Sequence, residues 1–419
     1  MQMLPSYLSD PTKRKNERLN QTRLGDAPPP PLPSLCVTGA LSRIGRYQVV
    51  THNKSSANGE GRNEYTTCEE EGASTSKNSE NTTILDNNGM PIILSYCIFR
   101  PRQLHDQNKP PLLCLHGGPS IPSNYLLPIV NGVTDRAVIF YDQWGCGKSS
   151  RPQLQTKNDS KNASEQKMQH PPFSIPTMVE HLRQLIDEHW KLKRFHLLGH
   201  SFGGILAYEY LRNIKIRGED SSRLDRSCPC SLILSSAPTS AELFQSESER
   251  LFKNLNADAI DDAKYLMNDC NDASVAGDTD SCNQINERRK HQLRQYMKSS
   301  EEFRQTHECR LSNPPLCLTD ALAQIGPTPW RGIDAINGYE AEGKIDDRYQ
   351  IPSLLVRGQY DFCTDRCMKE WKERIWSPVN EMPEPTEKVL SNCSHYAMLE
   401  DEDLYGEEIL NFVRLHDTF

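Results

Sequence analysis

The stretch Phe195-His196-Leu197-Leu198-Gly199-His200-Ser201-Phe202-Gly203-Gly204-Ile205-Leu206-Ala207 decides how this chain folds. Phe195 to Leu198 reads as a short buried strand, and Gly204 to Leu211 as a buried helix. Between them stands Gly-x-Ser-x-Gly. Its glycines permit the tight strand-to-helix turn that lifts a serine hydroxyl clear of the backbone. The pentapeptide alone recurs by chance in long chains, so the strand before it and the helix after it carry the weight. Ser201 is the candidate nucleophile.

Further along, Ile351-Pro352-Ser353-Leu354-Leu355-Val356-Arg357-Gly358 reads as another strand, and Asp361 lies three residues beyond it. A carboxylate there sits at the C-terminal edge of the sheet, where open α/β sheets place their sites. Val389-Leu390 closes a further strand before the loop Ser391-Asn392-Cys393-Ser394-His395. After Asp361 the only histidines are His395 and His416, and His416 lies in the last four residues, a poor place to hold a base rigidly. Taken singly, Asp361 reads as a turn residue and His395 as a surface histidine. Ser201, Asp361 and His395 in that order at strand ends read as the triad of an α/β-hydrolase. Ser201 would be the nucleophile, His395 the general base then acid, and Asp361 the group that fixes its tautomer.

Upstream, Leu112-Leu113-Cys114-Leu115 runs into the turn His116-Gly117-Gly118-Pro119. Turns of this kind supply one backbone N–H to an oxyanion, and the residue after the nucleophile supplies the other. Gly118 and Phe202 are the expected donors, and His116 is expected to be a structural hydrogen bonder. Trp144-Gly145-Cys146-Gly147-Lys148-Ser149 superficially matches the end of a phosphate-binding loop. That motif requires a glycine where Asp142 stands, so no nucleotide is implied.

Together these motifs resemble the proline iminopeptidase family, serine aminopeptidases of the α/β-hydrolase superfamily, and within it the tricorn-interacting aminopeptidases. His116-Gly117-Gly118-Pro119-Ser120 is similar to the family's H-G-G-P-G, with Ser120 in place of its last glycine. Tyr141-Asp142-Gln143-Trp144-Gly145-Cys146-Gly147-Lys148-Ser149 resembles Y-D-Q-x-G-x-G-x-S, and Gly199 to Gly204 resembles the G-x-S-x-G-G elbow. Gly358-Gln359-Tyr360-Asp361 and Ser394-His395 look like the acid and histidine motifs. The resemblance spans roughly residues 83–419. It implies a substrate amino group held by cap glutamates. Asn337-Gly338-Tyr339-Glu340-Ala341-Glu342 is similar to, but shorter than, the family's N-G-x-x-E segment, so Glu340 and Glu342 compete for that role. Phe362 stands where related enzymes often carry a second glutamate, which implies a preference for apolar N-terminal residues.

The chain has 419 residues and a net charge of −8, room for one large domain with an inserted cap. The acidic balance argues against a nucleic-acid partner. No run of about 18 apolar residues exists to span a membrane. The first 34 residues are polar and end in a run of prolines, without the apolar core of a secretory signal. Fourteen cysteines without a regular framework fit reduced, buried thiols in an intracellular protein. No pair of them is completed to a zinc site. A sequon at Asn392, three residues from His395, argues further against secretion. A cytoplasmic enzyme is expected, with organellar targeting as the alternative.

The expected architecture is an α/β-hydrolase fold: a mostly parallel sheet flanked by helices, with a helical cap. Residues 1–82 are expected to be a poorly structured extension, dispensable for activity to about Thr75. Residues 83–238 form the first part of the core, 239–344 the cap and 345–419 the second part. Ile84 to Arg100 reads as a hairpin turning at Asn87-Asn88-Gly89. Residues 152–170 and 214–230 read as polar insertions. Met178, Val179, Leu182, Leu185 and Ile186 space as one helical face, and a last helix runs from about Leu404 to Leu415. The resulting expectation is a serine aminopeptidase acting on short peptides with a free N-terminus, needing no metal or organic cofactor. A carboxylesterase on the same fold is the alternative, and a non-catalytic binding protein the reading from another class.

Overall fold

The computed structural model describes residues 41–52, 81–83, 91–101, 108–151, 173–214, 227–255, 279–325, 330, 332–378 and 382–418. Ten strands are present among them: β1 (Leu41–Gln48), β2 (Val50–His52), β3 (Asn81–Thr83), β4 (Ile93–Phe99), β5 (Leu112–Leu115), β6 (Val138–Tyr141), β7 (Arg194–His200), β8 (Cys228–Ser235), β9 (Ser353–Gly358) and β10 (Thr386–Leu390). Eight form one sheet in the order β1-β4-β6-β5-β7-β8-β9-β10. The pairs from β6 to β10 are parallel, while β4 runs antiparallel to both β1 and β6. The fold is that of an α/β-hydrolase.

The parallel strands are short and apolar because both their faces are covered. In β5, Leu113 and Leu115 join one core layer and Leu112 and Cys114 the other, the period-two alternation of a strand. The first layer is closed by helices α1 (Ile175–Gln184) and α2 (Phe202–Arg212). Ser174 caps α1 by accepting from the Thr177 N–H, with proline in the first turn. Met178, Val179, Leu182, Leu185 and Ile186 are buried, as their spacing predicts. The second layer is closed by the C-terminal helix Glu402–Leu415, capped by Asp401 and burying Ile409, Phe412 and Val413. Fully burying one such aliphatic side chain contributes about 1.5–3 kcal/mol.

Between β8 and β9 the described residues hold helices α3 (Ala241–Leu255), α4 (Thr279–Phe303) and α5 (Leu316–Ala323) and a short turn of helix at Gly332–Ala335. Phe252 of α3 and Phe303 of α4 pack together with rings 5.7 Å apart, and Phe362 packs against them.

The structure corrects the N-terminal boundary. Strand β1 lies within residues 1–82, yet it pairs with β4 along its whole length, and Val49 after it is fully buried. Most of its described side chains are exposed, so β1 is an edge strand joined through main-chain hydrogen bonds. Hydropathy alone gives little sign of such a strand. Among the described residues β4 is flanked by β1 and β6, and Asn81–Thr83 pairs with Val50–His52. The expected Asn87-Asn88-Gly89 turn and the 152–170 insertion lie outside the described residues. The 214–230 insertion ends earlier than expected, because β8 starts at Cys228.

No disulfide joins the cysteines whose side chains are described, and all of these but Cys228 are buried. No helix among the described residues is long and apolar enough to cross a membrane. Among the same residues no cluster of three or more His, Cys, Asp or Glu is arranged to hold a metal.

Candidate active site

Strand β7 delivers Ser201 to the C-terminal edge of the sheet. Its backbone sits at φ 54°, ψ −122°, a region that side chains rarely occupy. The surroundings hold it there. Ser201 N–H donates to the Ser235 carbonyl at 2.8 Å, and the Ser201 carbonyl accepts from Gly204 N–H at 2.9 Å. The elbow also needs close backbone approaches: a Cβ on Gly199 would overlap the Gly203 carbonyl, and one on Gly203 the Leu115 carbonyl. Those contacts explain the glycines of the motif better than conformational freedom does.

Strand β9 ends at Gly358, and Asp361 follows in the turn. One oxygen, Asp361 Oδ1, accepts from Cys363 N–H at 2.7 Å and from His395 Nδ1–H at 2.9 Å. Both side chains are buried. A carboxylate can only accept, so the proton lies on Nδ1 and His395 Nε2 is left as the acceptor. The main chain of His395 is held from two sides: its N–H donates to the His307 carbonyl at 3.2 Å, and its carbonyl accepts from His200 Nε2–H at 2.9 Å. Phe362 lies against the imidazole, ring centres 4.3 Å apart, and shields it from water.

The turn after β5 lies beside the elbow, where a Cβ on Gly117 would come within 2.8 Å of Ser201 Cβ. Gly117 N–H is used, donating to Tyr125 Oη at 2.7 Å. Gly118 adopts φ 117°, open only to glycine, and lines the same cavity as Ser201, Phe202 and His395. Phe202 opens α2, and the first amides of a helix have no partner in an earlier turn. Gly118 and Phe202 are thus placed as candidate oxyanion donors.

His116 is fully buried, with Nδ1–H donating to Gly117 O at 3.0 Å and Nε2 accepting from Gln143 N–H at 2.9 Å. Burial holds its pKa below the usual value. It is a structural residue, as the sequence suggests. Asp142 is equally structural: Oδ1 accepts from the Ser123 N–H and hydroxyl, and Oδ2 from Lys148 N–H. The resemblance to a phosphate-binding loop dissolves there.

The cavity over Ser201 is walled largely by apolar side chains, among them Phe244, Phe252, Phe303, Leu318, Ile336 and Phe362. The structure does not bring Glu340 or Glu342 into it. Both side chains are exposed and neither lines the cavity. Residues 339–341 run extended beside 239–241, with Ala341 N–H donating to Thr239 O and Ala241 N–H to Tyr339 O. Ala341 is the buried residue of that bridge, so its neighbours on either side face out.

The carboxylate that does line the cavity is Glu308. It ends a π-helical turn, Arg304–Glu308, that continues α4. Burial pushes its pKa up, against the opposing pull of His395 and Arg304. Glu308 does not stand out in the sequence because it lies among many charged residues, and a π turn has no simple sequence pattern.

The fold is that of the alpha/beta hydrolases, and the sequence agrees: residues 112–407 match the alpha/beta hydrolase family, to which the chain belongs. Within it the chain is similar to proline iminopeptidases. That of Lactobacillus crispatus is 29% identical over 74% of this chain and 92% of the relative. That of Clostridium botulinum is 27% identical over 74% of this chain and 92% of the relative. The crystal structure of a proline iminopeptidase from Mycobacterium smegmatis superposes with a TM-score of 0.55, at 22% identity, covering 78% of this chain and 96% of that one.

Proposed function

We propose that this chain is a serine aminopeptidase that releases an N-terminal proline or apolar residue from short peptides. The observation that carries the reading is the half-buried carboxylate of Glu308 in the same cavity as Ser201 and His395. The names of its relatives support it.

In this reading the substrate's ammonium group pairs with Glu308, and its first side chain lies among the aromatic walls. At about 4 Å and an effective dielectric of about 20, such a pair interacts with about 4 kcal/mol before desolvation is counted. His395 Nε2 takes the Ser201 proton as Oγ attacks the first carbonyl carbon. The oxyanion is met by the N–H groups of Gly118 and Phe202. His395 then protonates the leaving amine as the C–N bond breaks, leaving an acyl-serine. Water, activated by the same histidine, hydrolyses that ester and restores Ser201. Asp361 keeps the imidazole in the Nδ1–H form throughout. Every proton and bond change is handled by these groups and water.

The test is a panel of prolyl, leucyl and phenylalanyl arylamides, each with a free and an acetylated amine, beside short acyl esters. Preference for the free amine, lost in Glu308→Gln through a raised KM, is the expected result. Equal cleavage of free and acetylated substrates moves the chain to the esterase reading, which the apolar cavity walls would also serve.

A further inference from the structure

We propose that His307 is a positioning residue, through which the cap turn carrying Glu308 holds the Asp361 and His395 loops in register. The proposal rests on the reading of Glu308, Asp361 and His395 given above.

The turn Arg304–Glu308 follows α4 directly. Here the helix widens, Cys309 N–H donating to Arg304 O at 2.8 Å, and the last carbonyls of a helix have no partner further along it. Two of them are taken by the base loop: His307 O accepts from His395 N–H at 3.2 Å, and Glu308 O accepts from Tyr396 N–H at 3.1 Å. The His307 side chain reaches the other way, its Nδ1 lying 2.7 Å from the Tyr360 carbonyl, one residue before Asp361. A carbonyl only accepts, so Nδ1 carries the proton. One residue therefore bonds the loop of the base through its main chain and the loop of the acid through its side chain.

The groups around His307 keep this bond in one form. Its ring is half-buried and packs on Phe303, ring centres 5.2 Å apart. Burial lowers its pKa, with Arg310 and Arg250 adding to that effect and the Tyr360 bond and Asp361 opposing it. Arg310 lies over the Tyr360 ring, 4.0 Å from its centre. Arg304, buried at the start of the turn, is tied to Glu301 at its Nε by a 2.9 Å bond, which anchors the turn to α4.

The consequence is mechanical. The Asp361–His395 bond spans two loops that follow different strands, β9 and β10. Small relative shifts of those loops change the direction of Nε2 towards Ser201, and catalysis is sensitive to shifts of this size. His307 is the residue that braces both loops from the cap side, and it is next to the carboxylate that meets the substrate's amine.

The experiment compares His307→Asn, His307→Gln and His307→Leu with the full chain. The asparagine amide N–H stands where Nδ1–H stands; the glutamine amide reaches the Nε2 position instead; leucine donates nothing. Three quantities are read: kcat and KM on a free-amine arylamide, the rate at which a fluorophosphonate labels Ser201, and the melting midpoint. Leucine and glutamine are expected to lower kcat and the labelling rate about 10- to 100-fold, with KM within about threefold, and asparagine to restore most of the loss. If the leucine variant fails to fold, the asparagine–glutamine difference decides. Equal rates for asparagine and glutamine, a loss confined to KM, or normal labelling of the leucine variant overturns the proposal. Labelling does not need a peptide substrate. A wild type that cleaves only esters would sink the aminopeptidase reading while leaving the His307 comparison intact.

Discussion

His200 Nε2 lies 2.9 Å from the carbonyl oxygen of His395, so the residue just before Ser201 holds the main chain of the residue that would take its proton. The bond is one end of a chain. Tyr125 Oη accepts from Gly117 N–H at 2.7 Å and lies 2.8 Å from His200 Nδ1. The protons can be placed. The carbonyl of His395 requires a proton on Nε2. Burial, with His395 nearby, holds the His200 pKa well below its usual value, so the ring is neutral and Nδ1 is bare. Tyr125 must then donate its only proton to Nδ1 while accepting from Gly117. The turn at Gly117, the elbow and the loop of His395 are thereby joined through two buried side chains.

Tyr125→Phe tests that chain. The change keeps the ring, which packs on Tyr396 with centres 5.3 Å apart, and removes the hydroxyl. It leaves Gly117 N–H and His200 Nδ1 without a partner, and one such buried loss costs about 1–3 kcal/mol. We expect kcat to fall about 10- to 100-fold by the same arithmetic, with a smaller change in KM. A folded variant with wild-type kcat would show that the chain is dispensable.

The candidate triad gives a non-additive prediction. Ser201→Ala, His395→Ala and Asp361→Asn should each lower kcat by several orders of magnitude, and the double variants should be no worse than the worst single one. Residual turnover would come from binding and the oxyanion donors alone. His416→Ala serves as the control and should be silent; it lies at the end of the C-terminal helix. If that control were the damaging change, the base would be misassigned.

What the sequence makes legible follows from how local each signal is. Ser201, Gly118 and Phe202 are read from contiguous residues, since the elbow and the glycine turn are built from neighbours in the chain. Asp361 and His395 are read from strand ends and order, and the structure bonds them at 2.9 Å. Glu308 is not legible, because what sets it apart is where a helical turn widens and what covers it. Glu340 and Glu342 mislead for a related reason. Their motif is local, but the bridge to residues 239–241 decides which side chain turns inward, and it turns Ala341 in. Strand β1 is missed because an edge strand is recognised by its partner's main chain rather than by its own side chains.

Glu308 also predicts a pH dependence. To hold an ammonium group it must be ionised, and its raised pKa keeps it neutral to a higher pH than an ordinary carboxyl. As pH falls through that raised pKa, amine capture is lost and KM for a free-amine substrate should rise. In Glu308→Gln the KM should be raised about 10- to 100-fold at neutral pH, the size of a lost hydrogen bond to a charged group, and should be flat with acid. A wild type and variant with the same KM profile between neutral and acid pH would remove Glu308 from the amine site.

The last prediction concerns β1. Chains beginning at Ala40 and at Asn53 differ by the whole of that strand, Val49 and β2. Strand β4 is largely buried, and β1 is its outer partner through a register running from Leu41–Phe99 to Gln48–Ile93. Removing β1 turns β4 into a bare edge with an apolar side-chain row, a template for pairing between chains. It also removes Val49 from the core and the Tyr47 hydroxyl from Gln184 and Glu188, 3.3 and 3.4 Å away. The chain beginning at Ala40 should match the full chain in melting midpoint and turnover. The one beginning at Asn53 should melt several degrees lower and aggregate on heating, as loss of about 2–3 kcal/mol from a buried valine and its neighbours implies. Light scattering during a thermal ramp reads the difference. Equal midpoints for the two truncations would mean that the sheet is complete at β4 and that β1 only rests on its edge.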